Sequence, residues 1–432
     1  MHHLAERSFD VVIVGGGIIG CALAFELATT SAMKVGLFER GTVGREQSSR
    51  AWGLIRQQGR HPAEIPLAAD ALARWPGLAE RLGAPTDFVR SGILVAAEND
   101  AERSRLETSE KIAREYGVKS RMIERAEIRA LIPDADLVWP CGLYTEEDGH
   151  AEPERACKAF EQAARAKGVT ITEHCPVTAI EVSAGQVSGV RSAQGFVRAP
   201  IVVCAAGVGS ADILRTAGID LPLQSVRSSV GRTHPAQAGS SVAVWSSKVA
   251  FRPRSDGSYN FSNGYHALDS EYDLSLRSLR DFGKFMPNFV KNRSTLKLRF
   301  GEESFRHLRR ELTPGGVFQE MPEPRPNSAW IDSNFECLCE VFPRLRKIGI
   351  AKRWGGRIDV TPDLIPVIGA VKQLPGLIIA AGFSAHGLSI SPTVASLVAR
   401  LINGGKADRV LHSFRFERFA DNDYGVSENA LV

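Results

Sequence analysis

The apolar positions near the start of the chain fall into two short unbroken runs with a helix-length stretch between them. Val11–Val14 is one run; KVGLFER, residues 34–40, holds the other and closes on Glu39. Between them stand Gly15-x-Gly17-x-x-Gly20 and the nearly all-apolar residues 21–29. Short apolar runs bounded by glycine read as buried strands, and the longer stretch reads as a buried helix. The pattern predicts strand, glycine turn, helix and strand, in that order. Residues 11–28 are apolar enough to resemble a membrane span, but three adjacent glycines and Glu26 interrupt them. A buried strand plus helix fits better.

Farther on, a polar loop (41–50) precedes an amphipathic helix expected over 63–82, and a charged helix is expected over 101–116. Residues 146–153, EEDGHAEP, form a turn leading into a helix over 154–167 that Gly168 ends. Short strands follow at 169–173, 177–182 and 187–191, with a turn at Ala184-Gly185, then a buried strand running into Gly207. From about 212 to 345 the texture changes to arginine, aromatics and short alternating strands such as 249–253 and 259–262. The last third returns to strand (377–381), glycine loop (382–387) and helix (392–402), and a polar tail follows Phe419. The expected fold is α/β. A Rossmann-like unit (8–92, 146–215, 346–420) is interrupted by an α+β unit (93–145, 216–345) built on an antiparallel sheet, with a tail at 421–432.

Bulk composition narrows the picture. The chain has 432 residues, 44% hydrophobic and 24% charged, enough for two or three lobes of ordinary soluble character. A net charge of +4 is too slight to imply a nucleic-acid partner. Seven scattered cysteines with no CxxC pair speak for a reducing cytoplasm, and against a disulfide framework or a zinc site. The opening MHHLAERS has no apolar signal region.

The glycine pattern carries the first chemistry. Gly15 permits a tight turn, Gly17 lets the backbone approach a pyrophosphate, and Gly20 lets the helix lie close on the strand. The helix start offers free N–H groups to phosphate, and Glu39, nineteen residues after Gly20, stands where a carboxylate accepts from ribose hydroxyls. NAD and FAD both satisfy these residues. No second motif of this kind follows a strand, so one dinucleotide is expected.

Other segments resemble the FAD-dependent D-amino-acid oxidase and glycine/sarcosine oxidase superfamily, iminodiacetate-type secondary amine oxidases included. They are VVIVGGGIIG, EDGHAEP, VVCAAGVGSAD, FRPRSDG, RWGGRIDVTPDLIPVIG and GLIIAAGFSAHGLSISP, together spanning most of residues 9–419. The resemblance implies FAD held along Gly15, Gly17, Ile18, Ile19, Gly20, Glu39, Arg40, Ser48, Ser49, Arg50, Gly53, Leu54, Val177, Ala205, Ala206, Gly207, Gly356 and Arg357, and along Gly382, His386, Gly387, Leu388 and Ser389. The helix opening at Gly387 would support the flavin edge that becomes negative on reduction. Gly356 and Arg50 fall where relatives carry a linking cysteine or histidine, so FAD is expected to be non-covalent.

The resemblance also implies oxidation of a substrate C–N bond by hydride transfer to flavin. The substrate is expected to be a small carboxylate-bearing amine, held by an arginine. Arg56 and Arg357 are the first candidates and Arg252 the next, whereas Arg254 and Arg353 read as ordinary ion-pair residues. His386 is either a base or a shaping residue of the flavin face. Tyr259, Tyr265 and His266 lie on a segment expected to roof the pocket, with core packing as the competing role. Ser389, Ala385 and Ser262 depart from residues that relatives use for carboxylate or oxygen. The wealth of arginine points to a dicarboxylic secondary amine such as iminodiacetate, with oxygen or an electron-acceptor protein as oxidant. The alternatives are a D-amino-acid dehydrogenase using another acceptor and a non-catalytic FAD-binding assembly factor. The basic run from Arg277 to Arg310 reads as a solvated helical face, with a docking surface for an acceptor protein or an anionic membrane as the alternative.

Overall fold

The computed structural model describes residues 7–236, 240–265, 270–294, 296–405 and 409–425. One six-stranded sheet runs Val367–Ala370, Leu377–Ala381, Ile201–Cys204, Val11–Val14, Val35–Phe38, Thr170–Thr172. Its pairings are parallel except the one made by Val367–Ala370. Its central strands are covered on both faces, which is why they read as continuous apolar runs. Helices Ile18–Thr30, Pro153–Ala166, Ile65–Arg74 and Gly387–Ile402 contribute to the core that includes Ile13, Phe25 and Phe160. The other core, around Val12, Val14 and Phe38, takes in the hairpin strands Val177–Ser183 and Gln186–Ser192.

A second, ten-stranded sheet is built from Ile93–Ala97, Ser120–Glu124, Cys141–Thr145 and the strands between 224 and 360. It is mixed rather than purely antiparallel: Ala243–Trp245 pairs parallel with Ile93–Ala97, and Ser270–Asp273 parallel with Leu296–Arg299. Strand Ile350–Val360, counted with the dinucleotide unit in the sequence reading, is hydrogen-bonded into this sheet along Gln224–Thr233.

Three expected elements differ. The helix over 63–82 is divided, with Ile65–Arg74 and Leu78–Leu82 separated by a 3-10 turn at Trp75-Pro76-Gly77. Pro76 lacks the N–H that an unbroken helix needs. The final helix starts at Gly387, ahead of Pro392, which the helix accommodates. Within the polar loop, Gln47–Arg50 forms one helical turn. His266 and residues 426–432 of the tail lie outside the described residues. Among the described residues, no helix is long and apolar enough to cross a membrane, and no group of His, Cys, Asp or Glu could hold a metal ion.

Candidate active site

The glycine turn lines a cleft with about 1120 Å³ of open space at the ends of the parallel strands. Gly15 has φ +111°, and a Cβ there would collide with the carbonyl of Ala205. A Cβ on Gly20 would strike the Gly15 carbonyl, so this residue keeps helix and turn together while standing behind the cleft. The Ile18 N–H, which has no partner within the helix, donates to Ser48 Oγ at 2.8 Å. Glu39 accepts from the N–H groups of Gly16 (2.7 Å) and Gly41 (2.8 Å), while burial pushes its carboxyl above the ordinary range. Arg40 makes a two-pronged pair with Glu46 (2.8 and 2.5 Å). Gly17, Ile19, Val177, Ala205, Ala206, Gly207, Gly387 and Leu388 complete the part of the lining that was expected. Ser49 turns its hydroxyl to the Arg45 carbonyl (2.7 Å) and does not line the cleft.

A second cavity, with about 1170 Å³ of open space including its mouth, continues from the cleft, sharing Gln47, Ala51, Ala385 and Leu388 with it. Arg50, Gly53, Leu54, Arg56, Gly356, Arg357 and His386 line it, as does Ser262. The loop between cleft and cavity is under backbone constraint. Gly382, Ser384 and Ala385 all have positive φ (+75°, +47° and +67°), which is costly for the two that are not glycine. Asp359 holds this loop by accepting from Gly382 N and from Gln47 Nε2, both at 2.8 Å. Ser389 closes the arrangement from the helix: the Arg56 N–H donates to its hydroxyl at 3.1 Å.

The cavity wall holds a buried polar cluster. Arg56 lies over the Trp245 ring (5.3 Å), and burial together with neighbouring Arg60 lowers its pKa to about 9. Arg60 donates to the Arg56 carbonyl (3.3 Å), and its Nη1 has no hydrogen-bond partner. Asp148 accepts from the N–H groups of Gln57 (2.8 Å) and Gln58 (3.2 Å); burial raises its pKa to about 6. The His386 Nδ1 contacts both oxygens of Glu64, at 3.1 and 3.2 Å. Burial lowers the His386 pKa to about 4. Burial opposes the Glu64 charge, yet His386 and Arg60 hold its carboxyl below the ordinary range. The pair is therefore neutral imidazole beside carboxylate: Nδ1–H donates to Glu64, and Nε2 is left as the acceptor.

The other candidates sit differently. Arg357 donates to the Pro322 carbonyl (2.8 Å) and pairs with Glu303 (3.3 Å), so it meets the cavity as half of an ion pair. Arg50 pairs with Glu323. Arg252 does not line the cavity. It is fully buried, bound to Glu152 (3.0 Å) and the Trp52 carbonyl (2.8 Å), and backs the chain at Gly53. Arg254 and Arg353 are in ion pairs, with Glu152 (2.7 Å) and Asp332 (2.5 Å). Tyr259 stacks on Phe342 in the core, and Tyr265 donates to the Ala96 carbonyl, so neither roofs the cavity. Sequence reasoning missed Gln47, Arg60, Glu64, Asp148 and Asp359. The last two stand inside quoted motifs; the only signal for Arg60 and Glu64 was the density of polar residues in RQQGRHPAE.

The fit to a dinucleotide rests on this geometry: a glycine turn in which a Cβ on Gly15 or Gly20 would strike backbone, a helix start with Ser48 beside the Ile18 N–H, and a buried acid at the cleft edge. Comparison with known proteins agrees. A profile of the DAO family, described as FAD dependent oxidoreductase, matches residues 10–401. Sarcosine dehydrogenase of Homo sapiens is 25% identical over 426 residues, covering 95% of this chain. This chain spans only 41% of that relative's length. Glycine oxidase of Pseudomonas putida is 26% identical over 414 residues, 92% of this chain and 96% of the relative. The solved structure of L-amino acid deaminase from Proteus myxofaciens in complex with anthranilate has a TM-score of 0.87 at 27% identity, covering 96% of this chain and 94% of that one.

Proposed function

The chain belongs to the DAO family of FAD-dependent oxidoreductases, and from that premise we propose that it oxidises the C–N bond of a small carboxylate-bearing amine, an N-substituted glycine or amino acid. The observation that carries this reading is the meeting of Arg56, Arg60 and the Glu64–His386 pair on one cavity continuous with the dinucleotide cleft. Bound FAD supplies the acceptor for the hydride that leaves the substrate's α-carbon. The residues from Gly15 to Gly20, with Glu39, Ala205–Gly207 and the helix start at Gly387, would hold it. Neither Gly356 nor Arg50 offers a nucleophile for a covalent link, so FAD dissociates when the protein is denatured.

The chain's own residues do the rest. Arg56 receives the substrate carboxylate through charge-assisted hydrogen bonds in a site with little water. Hydride departure needs a neutral amine, and His386 Nε2 takes the ammonium proton while Glu64 steadies the imidazolium that results. Loss of hydride and proton leaves an imine, which water splits into an oxo acid and an amine or ammonia. Arg50 and Arg357 line the same cavity, each matched to a glutamate. A second substrate carboxylate exchanging with one of those glutamates is the basis for preferring a dicarboxylic secondary amine such as iminodiacetate. All seven cysteines are unpaired, in keeping with a cytoplasmic setting.

The test is anaerobic mixing of the holoprotein with iminodiacetate, sarcosine, glycine and D- and L-amino acids while flavin absorbance is followed. Bleaching by a carboxylate-bearing amine supports the reading; no bleaching by any amine favours a binding protein. Sarcosine binding as well as iminodiacetate removes the dicarboxylate preference. Readmitting air reads the oxidant: fast recolouring marks oxygen, and slow recolouring marks an electron-acceptor protein.

A further inference from the structure

The segment from Leu276 to Leu312 folds as helices Leu276–Arg280, Phe282–Lys291 and Glu302–Leu312 around strand Leu296–Arg299. Of the twelve large apolar side chains that the described residues expose, eight lie in this segment. Phe300 is 71% exposed, Leu312 69% and Phe305 57%, more than any large apolar side chain outside the segment. They form a connected surface. The Phe300 and Phe305 rings are 5.2 Å apart, and Phe305 and Leu312 stand two turns apart on one helix face. The Leu276 N–H reaches Glu311 at 3.1 Å, bringing the first helix start beside the last helix end. Seven exposed Lys and Arg residues, Lys284, Lys297 and Arg309 among them, alternate with the exposed apolar side chains along the segment, of which Glu302 is the one exposed acid; Asp220, exposed outside it, pairs with Arg280.

We infer that this surface docks on an anionic lipid bilayer. Phenylalanine and leucine set among lysine and arginine on short amphipathic helices match a headgroup boundary: the rings enter the acyl edge and the cations meet anionic lipid. A second copy of the chain fits less well, because a two-fold contact would set the same positive patch against itself. The segment also reaches the active site, since Glu303 holds Arg357 at 3.3 Å. Docking would therefore bring the cavity wall near the membrane surface.

The experiment is flotation of the holoprotein with vesicles of phosphatidylcholine alone and of phosphatidylcholine with about one third phosphatidylglycerol. At least a tenfold preference for the anionic vesicles is expected, abolished by high salt. The double variant F300S/F305S should lose most of the binding while keeping its flavin and melting temperature. K297E/R309E should lose the preference for anionic lipid, and it tests the surface independently should the first variant fold poorly. Equal binding to both vesicle types, or none to either, overturns the inference. So does a dimer that F300S/F305S dissolves, or a stoichiometric complex with an acidic protein in place of lipid binding.

Discussion

Replacing Arg56 by methionine should move stability and catalysis in opposite directions. In the fold, Arg56 holds its proton only to about pH 9, because it is buried and Arg60 stands beside it. An arginine in water holds its proton past pH ~12. At about 1.36 kcal/mol per pH unit, keeping this charge inside costs the fold on the order of 4 kcal/mol before relaxation. Methionine fills much of the same length without the charge and can still pack on Trp245. R56M should therefore melt at the wild-type temperature or a few degrees above it. The sign extends to alkali. As pH rises above 9 the unfolded wild type binds more protons than the native state, so the Arg56 penalty fades and the difference between the two proteins shrinks.

Catalysis responds the other way. A substrate carboxylate loses a charge-assisted contact worth about 3 kcal/mol in a buried site, roughly a hundredfold in kcat/KM, most of it through KM. The assay is steady-state turnover of whichever carboxylate-bearing amine bleaches the flavin, beside its analogue without the carboxylate, with calorimetry on the same samples. The analogue should lose little. A variant that melts well below the wild type yet turns over at the wild-type rate would assign Arg56 to the scaffold and refute the clamp.

Three other outcomes follow from the same cluster and cleft. In E64Q the His386 ring loses the carboxylate that favours its protonated form, so kcat/KM should fall about 10- to 100-fold. The acid limb, near pH 4 in the wild type, should move lower, whereas a merely structural Glu64 would leave it in place. In the wild type, KM should climb as pH rises through about 9, where Arg56 gives up its proton; a KM flat to pH ~11 counts against that clamp. Gly15→Ala forces an L side chain to φ +111° against the Ala205 carbonyl. Its FAD affinity should drop at least a hundredfold, on the order of 3 kcal/mol, read from flavin retained after gel filtration; full retention would separate that turn from cofactor binding.

The dinucleotide half was legible because its demands are local. A turn with positive φ, a close helix and an acid after the second strand are each fixed by residues within thirty of one another, and glycine records the backbone requirement directly. The substrate half was less so. Arg252 and Arg56 look alike in sequence, each ending a short apolar run. What separates them is placement: Glu152, a hundred residues from Arg252, holds it fully buried behind the wall. Arg56 lines the cavity over the Trp245 ring, with Arg60, Asp148 and Glu64 in its surroundings. Glu64 and His386 meet across 322 residues, a pairing no spacing announces.

One turn of helix joins the two halves. At the start of Gly387–Ile402, His386 is tied to Glu64, Ser389 to the Arg56 backbone, and the preceding loop through Asp359 to Gln47. Gly387 and Leu388 line the cofactor cleft from the same turn. The placement of the proposed Arg56 clamp relative to the cofactor cleft thus rests on hydrogen bonds of about 3 Å that reach this turn and the loop before it from distant segments. That explains why the loop tolerates Ser384 and Ala385 at positive φ. Relaxing those two residues would swing the helix start, and with it both the proposed cofactor support and the proposed base, out of register.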